Sequence, residues 1–143
     1  MINKKDSIKN NKFLYIAGIM LLIYGLGESI DCLFVALVSF GIILEPEITY
    51  FFSFQVLQDM WVTQPWSILC IFLSITSLRI ASGIGILKNR LWGFWLGIFI
   101  SGITLCIIVL FLPFGGLDGV ITVPILIFLF IGYFGKKQIL INQ

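Results

Sequence analysis

The sequence predicts an all-α membrane protein, a four-helix transmembrane bundle with an outer amphipathic helix between the first and second spans. Three observations carry that class. Hydrophobic residues make up 59% of the 143 and charged residues only 11%, with a mean hydropathy of +1.10, a balance that belongs to chains surrounded by lipid. The apolar residues fall in long runs. A hydrocarbon core of roughly 30 Å needs about 20 apolar residues per helix, so the length holds about four helices and leaves no room for a soluble catalytic domain.

The third observation is where the charges lie. Of nine Lys and Arg residues, Lys4, Lys5, Lys9 and Lys12 stand at the N-terminus, Lys88 and Arg90 between two apolar runs, and Lys136 and Lys137 near the C-terminus; Arg79 alone falls inside a run. Glu45, Glu47, Asp59 and Asp118 occupy the two remaining connections, which carry no base. Under the positive-inside rule the N-terminus, the Lys88–Arg90 turn and the C-terminus all face the cytoplasm of a cell membrane. Only an even number of spans allows that.

In chain order, residues 1–12 are polar and basic and read as a disordered cytoplasmic tail. Residues 13–143 form a single transmembrane domain. Its first span, 13–44, is about 48 Å long as a helix, well over the core thickness. It either protrudes on the outer side or breaks near Gly25-Leu26-Gly27-Glu28, where glycines weaken a helix. Its first half, 13–26, is not read as a signal peptide with a cleavage site at Gly25-Leu26-Gly27, because cleavage there would strand the apolar remnant 32–44 without a partner. Residues 46–62 alternate apolar and polar positions and read as an outer interfacial helix, with Pro46 at its start and Tyr50 and Trp61 at headgroup level. Further spans follow at 66–87, 91–112 and 117–134. Pro113-Phe114-Gly115-Gly116 makes the last outer turn, and a bend is expected at Pro124.

The stretch GIGILKNRLWGFWLG, residues 83–97, reads as a tight hairpin folded about Asn89. Helices in lipid associate by close packing, so small residues four apart mark their seams. Ser77, Ala81 and Gly85 form one such row; Gly93, Gly97 and Ser101 form another. Folded at Asn89 the rows pair level by level, Gly85 with Gly93, Ala81 with Gly97 and Ser77 with Ser101. Chance is the competing explanation, since small residues are common in membrane helices. On this seam Arg79 lies about 200° from the row and points away from the third span.

A guanidinium near mid-membrane costs at least a few kcal/mol and needs a partner or water. The acids inside the spans, away from their ends, are Glu28 and Asp31, at i and i+3 on one helical face with Tyr24. Arg79 lies about 13 Å from the hairpin's cytoplasmic edge, whereas Glu28 and Asp31 lie about 22 and 27 Å deep if the first helix enters at Phe13. Glu28 is therefore the expected partner, and Arg79→Ala is expected to lower folded yield unless Glu28→Gln accompanies it. The cluster Glu28, Asp31 and Arg79 serves either as a buried pair fixing helix register, as a proton or cation site, or, for the acids, as the wall of an outer vestibule.

Cys32, Cys70 and Cys106 lie in apolar segments without a paired-thiol spacing and read as small buried hydrophobes. The chain has no His. No nucleotide loop, nucleophile triad, metal cluster or lipidation motif is visible, so no catalytic residue and no cofactor is assigned and no nucleic-acid partner is expected. The hairpin GIGILKNRLWGFWLGI, with the Tyr- and Gly-containing first span, resembles the small four-helix integral membrane proteins of unknown function found in bacteria and archaea; the likeness covers mainly the second and third spans and implies no activity. An acid embedded in the first helix is similar to small multidrug transporters, but the long outer loop and overlong first span depart from them. The cysteine and aromatic signature of claudin-type tetraspans is missing. The expected role is a non-enzymatic structural or accessory component of a membrane assembly, a homo-oligomer or part of a larger complex in the bilayer. The alternatives are a small proton- or cation-coupled transporter or channel using Glu28 and Arg79, and an intramembrane redox protein using the cysteines.

Overall fold

Four apolar runs become four helices, α1 (Lys12–Ser39), α2 (Pro65–Leu87), α3 (Leu91–Leu110) and α4 (Gly116–Phe134). The structure is a computed structural model and describes residues 11–42, 63–110 and 116–135. Residues 1–10 of the expected tail, the expected outer helix at 46–62 and residues 113–115 of the turn expected at 113–116 lie outside the described residues. The described chain is all-helical. Stretches of three helices, Lys12–Leu33, Trp66–Leu87 and Leu91–Ile108, are long and apolar enough to cross a membrane, and the apolar part of α4, Asp118–Phe134, is shorter.

The ends of the helices follow local chemistry. Asn11, expected in a disordered tail, is 2% exposed and caps α1, its Oδ1 accepting from the Leu14 N–H at 3.4 Å. Its Nδ2 donates to the Gly132 carbonyl at 2.6 Å, which ties the start of α1 to the end of α4. Of the two alternatives for the first run, the break near Gly25 is not found: α1 runs unbroken for 28 residues. It stops at Ser39 rather than 44, because Gly41 adopts a left-handed φ of +69° and the Ile42 N–H turns back to the Leu37 carbonyl at 2.9 Å. Pro65 opens α2 at the position where its missing N–H costs nothing. Helix α4 continues through Pro124.

Asn89 makes the α2–α3 turn. Its φ is +60°, the Arg90 N–H reaches the Gly85 carbonyl and the Asn89 N–H reaches the Ile86 carbonyl, both at 2.9 Å. This is a Schellman cap, in which Asn is one of the few residues that tolerates the left-handed position.

The chain forms two compact units, Met1–Gly25 with Leu78–Gln143, and Leu26–Ser77. In the first, all four helices supply the core: Leu14, Ala17 and Leu21 from α1, Ile86 from α2, Phe94 from α3, Ile125 and Leu129 from α4. Gly18 lies against Leu87 and Ile86, and Gly25 against Ile80, so α1 and α2 run antiparallel here. Phe94 stacks on Tyr133 at 4.3 Å between ring centroids and Gly119 faces Ile108, so α3 and α4 are antiparallel as well. The start of α1, the α2–α3 turn and the end of α4 therefore lie at one end of this unit. In the second unit Ile68 and Leu69 of α2 pack with Phe72 and with Ala36 of α1, and Phe40 meets Trp66 edge-on at 5.1 Å.

Much of the apolar surface faces outward. Only 28%, 39% and 33% of the residues in the three long apolar stretches are buried within the chain. Ile23, Leu26, Ile30 and Leu33 on α1, and Phe99 on α3, are each about 60% exposed.

Candidate functional site

Arg79 is the largest fully buried side chain described, at 1% exposure. Two neighbours in its own unit shape its setting. Its Nη2 donates to Thr104 Oγ1 of α3 at 2.6 Å, and Thr104 Oγ1 donates in turn to the Ile100 carbonyl at 2.9 Å. The guanidinium carbon lies 3.9 Å from the centre of the Tyr24 ring of α1. Both are neutral groups. The hydroxyl offers a lone pair and the ring its negative face, so each stabilises the cation through a dipole or quadrupole. Close access is provided by Gly25, where a Cβ would stand 2.7 Å from Ile80 Cγ1 and 3.7 Å from Arg79 Cβ. The glycine that offered a possible break in α1 instead lets it approach α2.

The expectation that Arg79 points away from the third helix is corrected by this contact. The reason is the register of the α2–α3 seam. At the turn the two rows meet as expected: a Cβ on Gly93 would stand 2.5 Å from the Gly85 carbonyl carbon, and one on Gly85 would stand 2.7 Å from Gly93 Cα. One level up, the nearest α2 atoms to a Cβ on Gly97 belong to Ser82, at 2.7 Å, and Ile86, rather than to Ala81. Ser82 is fully buried and its Oγ donates to the Gly93 carbonyl at 2.8 Å. The α2 side of the seam thus steps back from Gly85 by threes, through Ser82 to Arg79, and the face turns with it. Ala81 is half-buried, Ser77 is exposed, and Ser101 is buried on α3.

Glu28 and Asp31 belong to the second unit and Arg79 to the first. Glu28 is half-buried and Asp31 exposed. Glu28 Oε2 accepts from Thr76 Oγ1 at 3.5 Å, and Thr76 Oγ1 lies 3.4 Å from Cys32 Sγ. A hydroxyl has one hydrogen. With that hydrogen given to the carboxylate, the thiol must donate to Thr76. Cys32 is buried as expected, but Cys70 and Cys106 are exposed, a correction that follows from the outward-facing apolar surfaces of α2 and α3.

The residue missed in the sequence is Thr104. Thr76 and Cys32 stand at readable spacings, three before Arg79 and four after Glu28, the separations at which helical side chains become neighbours. Thr104 carried no comparable signal. Compared with known protein families, with curated proteins and with solved structures, the chain matches none.

Proposed function

We propose that this chain is a polytopic integral membrane protein, crossing the bilayer with all four helices and with both termini in the cytoplasm, and that it acts as a non-enzymatic structural or accessory component of a membrane assembly. The observation that carries the reading is the outward apolar surface of three long helices, far larger than a monomer exposes to water. A buried guanidinium held by a hydroxyl and an aromatic face supports a register-fixing role for Arg79, since a buried polar contact of this kind selects one helix arrangement more than it adds stability.

The test is alkaline carbonate extraction of membranes followed by affinity purification in mild detergent. Retention in the pellet together with a defined oligomer or stoichiometric partner chains supports the proposal. Release into the supernatant refutes the membrane reading, and a monodisperse monomer without partners refutes the assembly role.

The second reading, a small transporter or channel, draws on one observation. Glu28 is half-buried in a predominantly apolar helix and accepts from Thr76. It requires Glu28→Gln to abolish pH-dependent cation flux in liposomes.

A further inference from the structure

Positive charge gathers at one end of the first unit. Lys12 opens α1, Lys88 follows α2 and Arg90 precedes α3, and the antiparallel packing brings all three to the same end. With Arg79 they are the only bases among the described residues. Asp118, the acid this unit describes, lies in the first turn of α4, at the opposite end. Lys12 and Lys88 are exposed and Arg90 half-buried.

Beside these bases sit two indoles. Trp92 and Trp95 are 47% and 53% exposed and follow Arg90 by about 3 and 8 Å along the α3 axis. Both rings are held by packing. Trp92 covers Gly85, whose Cβ would stand 2.9 Å from its Cη2. Trp95 lies 5.3 Å from the Phe94 ring and 6.2 Å from that of Tyr133. Indoles prefer the boundary between headgroups and acyl chains. If they sit there, the bases stand at phosphate level.

We infer that this end of the bundle is a binding surface for anionic phospholipid headgroups, recognised through their net negative charge. The inference rests on the membrane reading above and adds the class of lipid to it. Lys12, Lys88 and Arg90 attract the headgroups, and Trp92 and Trp95 set the depth at which they do so. Each base near an anionic surface contributes about a fivefold preference, reduced by salt within a Debye length.

The experiment uses the full chain in mixed micelles of equimolar phosphatidylglycerol and phosphatidylcholine, with retained lipids counted by native mass spectrometry. The wild type should retain phosphatidylglycerol preferentially. Combined Lys12→Gln, Lys88→Gln and Arg90→Gln should lower the preference by about fivefold per base, whereas Lys12→Arg with Lys88→Arg should keep it and Asp118→Asn should not lower it. Equal retention of the two lipids by the wild type, or an undiminished preference in the triple Gln variant, overturns the inference. Failure of the membrane reading is separately visible as a wild-type protein that leaves membranes in carbonate and retains neither lipid.

Discussion

Replacing Thr104 by Val keeps the shape of the side chain and removes only its hydroxyl, the group that accepts from Arg79 Nη2 at 2.6 Å. Thr104's own donation to the Ile100 carbonyl is lost with little consequence, because that carbonyl has its helical partner. The cost therefore falls on Arg79, which is 1% exposed and cannot turn to water. Neutral hydrogen bonds between helices in lipid average about 0.6 kcal/mol, with a maximum near 1.7. An ionised donor roughly doubles such a bond, which places Thr104→Val at about 1–2 kcal/mol, a five- to thirtyfold fall in the folding equilibrium. Thr104→Ser keeps the acceptor and loses one methyl, about 1 kcal/mol at most. Reversible unfolding in mixed micelles, followed by circular dichroism, measures both. If Val proves no more destabilising than Ser, the Thr104 hydroxyl does not hold Arg79 and the account of the site fails.

Further expectations follow from the same contacts. Tyr24→Leu should destabilise by up to about 2 kcal/mol while Tyr24→Phe is nearly neutral, because the ring face rather than the hydroxyl meets the guanidinium carbon; equal losses in the two variants would contradict a cation–π contact. Gly93→Ala places a Cβ 2.5–2.6 Å from the backbone of Gly85 and Ile86, which cannot yield as a side chain can, and should cost about 1–3 kcal/mol. Gly27→Ala and Gly102→Ala, with nothing within 4 Å, should be neutral or stabilising by up to about 1 kcal/mol in the same unfolding assay. Asn89→Val should cost about 1–2 kcal/mol at its φ of +60°, and Asn89→Gly should not.

The helices were legible because apolar runs of membrane length leave little choice of structure. The spans expected at 66–87 and 91–112 compare with Pro65–Leu87 and Leu91–Leu110. The hairpin was legible at Asn89 because few residues other than Gly accept a left-handed turn. What could not be read was the role of individual glycines. Gly25 suits a helix break and a close helix contact equally well as sequence, and only the approach of Ile80 decides for contact. The orientation of Arg79 was misread because a spacing of four along Ser77, Ala81 and Gly85 matches small residues without regard to hydrogen bonds. Ser82 reaches the Gly93 carbonyl, and the seam on α2 follows that bond into a spacing of three. Thr104 was invisible because a single Thr in a span has no pattern, and the long Arg side chain finds its partner across helices.

On the proposed topology the basic ends of these helices share the cytoplasmic face of a membrane. Single cysteines placed by Lys12→Cys, Lys88→Cys and Asp118→Cys, in a background lacking Cys32, Cys70 and Cys106, test it most directly through labelling with a membrane-impermeant maleimide. The account predicts that Asp118→Cys is labelled in intact cells, and that Lys12→Cys and Lys88→Cys are labelled only after permeabilisation. Labelling of Lys12→Cys and Lys88→Cys on opposite sides, or of all three positions alike, would contradict it.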